Sequence, residues 1–214
     1  MDFSQLITII PILVSIFSLG ISLFVAIRSF YISRPSLELI QTDDAARSLF
    51  IQSFDGSQAS FSLDFKDSEL DDPSIASALL IEIVLINKSS LPLSVLEFQI
   101  NDDRLPGFQS FTSYSPTPSS FEITTRENSK TIFRNINYIQ PEFTLDPYMA
   151  SRGYILFWSG LETNLQTTDP LDLKIITSRK NFDFKVKYSG SVESIKKYGH
   201  ISKDGNGNKV IDFY

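Results

Sequence analysis

Few residues in this chain could perform catalytic chemistry, because its 214 residues include one histidine and no cysteine. A serine nucleophile needs an adjacent base, and that base would have to be His200, in the polar stretch KKYGHISKDG. The sequence contains no Gly-x-Ser-x-Gly turn, with which α/β-hydrolases present their nucleophile. We therefore interpret His200 as a surface residue and predict that the protein is not an enzyme.

Paired carboxylates could act as general acid and base, and two such pairs occur. Asp71 and Asp72 precede a proline, and Asp102 and Asp103 lie shortly before another. In glycoside hydrolysis the two carboxyl groups face each other across the sugar, roughly 5 to 9 Å apart, and adjacency in sequence does not supply that geometry. We interpret both pairs as solvated turn residues.

The carboxyl-terminal stretch DGNGNKVIDF is similar to a calcium-binding loop. If that loop began at Asp204, Asn206 and Asn208 would fill its third and fifth positions, but Lys209 would replace the glycine required at the sixth. No helical pattern flanks the stretch. We therefore predict a β-hairpin that joins YGHIS to KVIDFY through Gly and Asn residues with positive φ, and we expect no metal and no other cofactor.

Residues 101–121 form the candidate partner loop. The loop carries Phe108, Phe111 and Tyr114 among Gly, Pro, Ser and Thr residues. A long loop with aromatic side chains is a usual place for recognition. Alternatively, the rings fold back and cover one end of a β-sandwich. The sequence leaves both interpretations open.

These candidates follow an apolar amino-terminal segment. Residues 6–27 contain no charge, and a helix of 22 residues rises roughly 33 Å, enough to cross a hydrocarbon core of about 30 Å. A cleavable signal peptide would carry Lys or Arg before the apolar run and an Ala-x-Ala site after it. The chain has MDFSQ and VAIR at those places, so residues 1–34 are predicted to be a permanent transmembrane anchor.

Basic residues flank only the carboxyl-terminal end of this segment. Arg28 and Arg34 follow it, whereas no Lys or Arg precedes it. Because basic flanks tend to remain cytoplasmic, we predict a single-pass cell-membrane protein with its amino terminus outside and residues 35–214 in the cytoplasm. The aromatic pair FY suits the membrane interface, and Pro35 disfavours helix at Arg34, so the helix should end there.

Small and polar residues form a stripe along the same segment. Ser15, Ser18, Ser22 and Ala26 recur at spacings of three and four, which places them on one helix face. Transmembrane helices associate through close backbone approach and interhelical hydrogen bonds, so the stripe predicts a contact with a protein partner or a second copy of the chain. The alternative is that isolated serines are simply tolerated in the span.

Beyond residue 35 the apolar pattern has a period of two, which is typical of β-strands. The stretch ALLIEIVLIN is apolar on both faces except Glu82, which predicts a central strand, and the KSSLP turn after it predicts antiparallel pairing with LSVLEFQI. Asn87 opens a formal glycosylation sequon there, and we interpret it as a strand-end turn residue. Residues 35–214 are thus predicted to be mainly β, an immunoglobulin-like antiparallel β-sandwich. The other predicted strands are residues 37–41, 49–54, 60–66, 121–124, 131–136, 153–158, 172–177, 181–188 and 210–214.

Charge is unevenly distributed along the domain. Residues 35–170 contain 19 acidic and 8 basic residues, whereas residues 171–214 contain 5 acidic and 9 basic residues. The acidic body would repel nucleic acid, so no nucleic-acid partner is expected. The lack of cysteine excludes disulfides and thiolate metal sites, and it is compatible with a reducing compartment.

A family resemblance is carried by the segments LLIEIVLINKSSLPLSVLEFQI, FTLDPYMASRGYILFW and LDLKIITSR, and by the Arg-Pro junction after the apolar helix. Over residues 79–179 the chain resembles small bacterial single-pass membrane proteins with an immunoglobulin-like β-sandwich domain, most of them uncharacterised. The resemblance implies the fold and the membrane topology, and it brings no catalytic residues.

Three classes of function remain. The first, which we favour, is a membrane-anchored binding or scaffold protein that presents its domain to a partner at the membrane. The second is a membrane sensor whose sandwich binds a ligand and alters association of the helix. The third, an enzyme, lacks a catalytic constellation in the sequence.

Overall fold

The computed structural model describes residues 3–41, 47–52, 59–64, 77–105, 107–110, 118, 120–125, 130–159, 170–188 and 199–213. A long helix, α1 (Phe3–Ile32), precedes the strands. In chain order the strands are β1 (Leu37–Ile40), β2 (Leu49–Gln52), β3 (Ala59–Asp64), β4 (Ser77–Asn87), β5 (Leu93–Ile100), β6 (Gln109–Ser110), β7 (Ser120–Thr125), β8 (Lys130–Arg134), β9 (Phe143–Leu145), β10 (Ala150–Ser159), β11 (Leu171–Thr177), β12 (Phe182–Val186), β13 (His200–Lys203) and β14 (Lys209–Asp212).

Helix α1 ends at Ile32, two residues before the predicted end. The Arg34 N–H reaches the Tyr31 carbonyl oxygen at 3.4 Å, which is a tight i to i+3 contact instead of a regular helical bond. The effect of Pro35 on Arg34 accounts for an end near this place, and α1 ends within two residues of the predicted position. The chain therefore leaves the helix through residues 33–36.

The residues that the structure describes leave the apolar part of α1 uncovered. Its segment Pro11–Ile32 is 22 residues long and apolar enough to cross a membrane, by length and composition. Every side chain in that segment is exposed. Such a large exposed apolar surface is unfavourable in water and is compatible with a helix that crosses a membrane.

The strands form three sheets. The central sheet has the order β1-β4-β10-β6, with β2 also paired to β4. The first outer sheet has the order β12-β11-β5-β9, and the second outer sheet has the order β13-β14-β8-β7-β3. Strand β14 runs parallel to β8, and the other pairs between described strands are antiparallel. The described chain is therefore mainly β with an apolar amino-terminal helix, as the sequence predicts.

Two apolar cores lie on opposite faces of the central sheet. The first core joins that sheet to the first outer sheet, and the second core joins it to the second outer sheet. Strand β4 contributes Leu79, Ile81, Ile83 and Leu85 to the first core and Leu80 to the second. Because successive side chains of a strand point to opposite faces, β4 is covered on both sides. The prediction of a central strand at this place is confirmed.

The predicted pairing of β4 with β5 is wrong. Strand β5 lies in the first outer sheet, between β11 and β9. Strand β4 pairs with β10 along one edge and with β1 and β2 along the other, so neither edge remains for β5. The short connection of residues 88–92 therefore carries the chain from one sheet to another instead of closing a hairpin.

The predicted carboxyl-terminal hairpin is confirmed. Strand β13 pairs antiparallel with β14, and Gly207 in the turn has a φ of 81°. The positive φ predicted for the Asn residues of the turn is wrong: Asn206 and Asn208 lack it, and their N–H groups donate to the Asp204 carboxylate. Strands β6 and β9 were not predicted. They contain two and three residues, which is too short for an alternating pattern to appear in the sequence.

Burial of β4 predicts the effect of one substitution. Ile83 is completely buried in the first core. We expect Ile83→Ala to lower the free energy of unfolding by about 2 to 5 kcal/mol, because it removes buried methylene groups and leaves a cavity. The matched control is Ile201→Ala, since Ile201 lies on β13 with 49% of its surface exposed. Thermal unfolding of the full chain in detergent measures both; equal melting temperatures for the two variants would contradict the assignment of β4.

Candidate functional site

The predicted stripe lies on one side of α1, with Ser15, Ser18, Ser22 and Ala26 all exposed. The Ser15 hydroxyl donates to the Pro11 carbonyl oxygen at 2.8 Å, one turn earlier in the same helix. A bond of this kind satisfies a hydroxyl in an apolar environment without a second helix. The geometry is thus compatible both with a helix contact and with serines that are merely tolerated.

The candidate partner loop is described only in part. Phe108 is half-buried against the first core, and its ring centroid lies 6.4 Å from that of Phe50. Phe111 and Tyr114 lie outside the described residues. Phe108 and Ser110 line a groove of about 610 Å³ beside β5. Phe108 therefore packs inward while still forming part of the wall of an open groove.

The carboxylates considered for chemistry are held by local hydrogen bonds. Asp102 accepts from the Arg104 guanidinium at 2.8 and 2.6 Å, and this interaction holds the pKa of Asp102 below its ordinary value. Asp204 accepts from the Asn208 side-chain amide at 2.9 Å, which likewise lowers the pKa of Asp204. Both carboxylates order the turns in which they lie. Asp71 and Asp72 lie outside the described residues.

His200 begins β13 at the surface. Its register partner is Asp212, whose carboxylate already accepts from the Asn135 amide at 3.2 Å. Across the described part of the chain, no group of three or more His, Asp or Glu side chains could hold a metal ion.

The structure brings together an ionic cluster that sequence reasoning missed. The Glu82 carboxylate is 3% exposed, and its Oε1 accepts from Arg47 at 3.1 Å and from two nitrogens of Arg152 at 3.1 and 2.7 Å. Among the described residues, its Oε2 has no hydrogen-bond donor. The one signal in the sequence was a single acid within an apolar strand, which indicates a buried charge that needs a partner.

This ionic cluster lines a cavity of about 420 Å³ between the central sheet and the carboxyl-terminal strands. Asn135, Asn137 and Phe213 complete much of its wall. Two guanidinium groups and one carboxylate leave the lining with a net positive charge. The arrangement can hold β4 and β10 in register, because Glu82 of β4 accepts hydrogen bonds from Arg152 of β10.

The end of α1 is hydrogen-bonded to the β domain. The Ile32 carbonyl oxygen accepts from the Ser90 N–H at 3.4 Å and from the Ser90 hydroxyl at 3.1 Å. Arg179 donates to the Ser33 carbonyl oxygen, and the Lys88 N–H donates to Ser36 at 2.8 Å. These bonds fix the short connection to two turns of the domain, so the helix is not attached through a loose linker.

Asn87 organises the turns around that junction. Its completely buried amide nitrogen donates to the carbonyl oxygens of Leu91 at 2.9 Å, Leu145 at 3.0 Å and Asp146 at 3.2 Å. Its oxygen accepts from the N–H and the hydroxyl of Ser89 at 3.0 and 2.6 Å. The interpretation of Asn87 as a strand-end turn residue is confirmed, and the same amide also ties a second turn to the first.

The ionic cluster generates a prediction about stability. Glu82→Gln keeps the side-chain shape but removes the negative charge between Arg47 and Arg152. We expect the variant to be destabilised by roughly 1.5 to 3 kcal/mol, the range for hydrogen bonds to charged groups. Glu97→Gln is the matched control, because Glu97 lies exposed on β5. Thermal unfolding measures both, and equal stability of the two variants would contradict the importance of the cluster.

Two comparisons with known proteins found no match. No protein-family model matches the chain, and no curated protein matches it. The resemblance to small bacterial single-pass membrane proteins therefore stays a prediction. The functional inference depends on the helix, the junction and the domain surfaces described above.

Proposed function

We propose that the chain is a membrane-anchored binding or scaffold protein without catalytic activity. In this proposal α1 is the permanent anchor and residues 35–214 present the domain to a partner at the membrane. The observation that carries the proposal is the exposed apolar segment Pro11–Ile32, followed within a few residues by a folded domain that is hydrogen-bonded to the helix end.

The junction favours an anchor over a cleaved signal peptide. A signal peptidase needs an extended and accessible segment near the end of the apolar run. In this chain the helix continues to Ile32, and the following residues are bonded to the domain through Ser90 and Arg179. Arg28 and Arg34 favour a cytoplasmic location for the domain in a bacterial cell membrane.

The domain architecture is compatible with presentation of a surface. The central sheet and the first outer sheet face each other across the first core, and we take this pair as the predicted immunoglobulin-like sandwich. The second outer sheet is then an addition on the opposite face. Partner contact would use the groove beside β5, while a protein partner or a second copy would contact the stripe on α1.

The sensor alternative is favoured by one observation, the direct bonding of the helix end to the domain. Because Ile32 and Ser33 are hydrogen-bonded to two turns, movement of those turns would move the helix end. A ligand that binds one arrangement of the turns better than another would then shift helix association. A scaffold requires no such movement.

A reporter fused after Tyr214 tests the anchor and its orientation together. We expect the fusion to remain in the membrane fraction at full length, because the helix is not removed. We also expect external protease to leave the fused domain intact in bacterial spheroplasts, because the basic flank stays cytoplasmic. Release of a shortened soluble product would contradict the anchor, and digestion in intact spheroplasts would contradict the orientation.

The stripe on α1 can be tested by making it bulky. Ser18→Leu combined with Ser22→Leu should preserve membrane insertion, since leucine is favourable in hydrocarbon, while preventing close backbone approach. We expect amine-reactive cross-linking in membranes to yield several-fold less associated species. Leu13→Ile, on the opposite side of the helix from the stripe, is the control and should change nothing. Equal cross-linking of the double variant and the parent would identify the serines as tolerated residues.

A further inference from the structure

Exposed apolar side chains of the β domain concentrate at the end that adjoins α1. Leu91, Tyr148 and Met149 are 44%, 63% and 58% exposed. They are three of the six large apolar side chains exposed in the described part of the domain; the others are Ile40, Leu96 and Ile201. An apolar group of this kind on an otherwise polar surface indicates a contact with something apolar.

One of the two turns that carry these side chains is bonded to the helix end, and Asn87 ties the other turn to the first. The Asn87 amide bonds to both turns, through the carbonyl oxygens of Leu91 and Asp146. The residue before Leu91, Ser90, is bonded to the last carbonyl oxygen of α1. If α1 spans a bilayer, its end lies in the headgroup region, and these turns are held at that depth.

Tyr148 occupies a backbone position that normally requires glycine. The Met149 N–H donates to the Asp146 carbonyl oxygen at 3.1 Å, which closes a turn with Pro147 second and Tyr148 third. Tyr148 has a φ of 60°, the left-handed region that a type II turn needs at that place. An exposed tyrosine at this position strains the backbone without adding to the core. Tyrosine is, however, a preferred side chain at the membrane interface.

The same end of the domain is basic although the chain as a whole carries a net charge of -6. The four segments around the helix end, residues 33–36, 88–92, 146–149 and 178–181, hold four basic side chains and one acidic side chain. Lys88 is paired with Glu38 at 2.5 Å, which neutralises one of the positive charges. Arg179 donates to the Ser33 carbonyl oxygen, so Arg34 and Lys180 are the exposed basic side chains that are complementary to anionic headgroups.

We propose that this end of the domain, named here the membrane-proximal face and formed by Leu91, Tyr148, Met149 and Lys180 around the helix end, binds the surface of an anionic lipid bilayer. The proposal rests on the anchor role of α1 but goes beyond it, because it gives the domain a second and independent membrane contact. The apolar tips enter the headgroup region while the basic side chains meet lipid phosphates.

Labelled full-length protein in lipid vesicles tests the proposal. Because the chain contains no cysteine, Met149→Cys creates a unique site for an environment-sensitive fluorophore. The control is Asp103→Cys. Asp103 lies in the exposed turn after β5, and the length of that strand separates it from the membrane-proximal face by roughly 23 Å. Phosphatidylcholine vesicles with and without phosphatidylglycerol carry quencher-bearing lipids, and flotation shows how much protein is anchored.

We expect the label at position 149 to be quenched several-fold more than the label at position 103, and more strongly with phosphatidylglycerol present. In the anchored protein, the domain either touches the lipid surface or is out of contact with it. Lys180→Gln should lower the ratio of the first state to the second roughly fivefold, which is the factor for one basic side chain at such a surface. Lys203→Gln, on the exposed hairpin, should leave that ratio unchanged.

Tyr148→Gly separates lipid binding from folding. Glycine adopts positive φ without strain, so this variant should have a higher melting temperature and yet weaker quenching at position 149. Protein that floats with vesicles but shows equal quenching at positions 149 and 103 would overturn the proposal. The membrane-proximal face would then be a contact surface for a protein partner. Protein that fails to float would overturn the anchor function, and with it the membrane-proximal face.

Discussion

The rest of the structure depends on the pairing and burial of β4. Its backbone is paired along both edges, by β10 on one side and by β1 and β2 on the other, and its two faces belong to two different cores. A strand in this position offers no place for an additional strand. Its neighbour in sequence must therefore join another sheet, and the turn after Asn87 becomes a connection between layers.

The residue that ends β4 also determines how the domain meets the helix. Asn87 uses both the donor and the acceptor of its side chain, with three carbonyl oxygens on one side and Ser89 on the other. Aspartate could not donate, and serine could not reach all of these groups, so the amide is matched to its surroundings. These buried bonds hold the two turns together, and one of them bonds through Ser90 to the last carbonyl oxygen of α1. The end of a core strand is therefore connected to the helix end through Asn87 and Ser90.

Sequence periodicity predicted the elements better than their partners. The apolar helix, the central strand and most other strands were correctly located, because burial of one or both faces leaves a direct pattern in the chain. The error in pairing β4 with β5 arose because a short turn normally joins paired strands, and the sequence does not reveal that both edges of β4 are occupied. The ionic cluster was missed for a similar reason, since Glu82 meets arginines 35 and 70 residues away.

Strand β4 also connects the two polar features of the central sheet. Glu82 and Asn87 lie on the same strand, roughly 17 Å apart, with no loop between them. A molecule that entered the cavity beside Glu82 and displaced β4 would therefore act on the turns at the helix end through a paired strand. A strand this thoroughly covered moves only with its neighbours, because interiors are close-packed. A rigid connection of this kind is compatible with both proposed functions, because a scaffold needs no movement and a sensor needs the turns at the helix end to move together with β4.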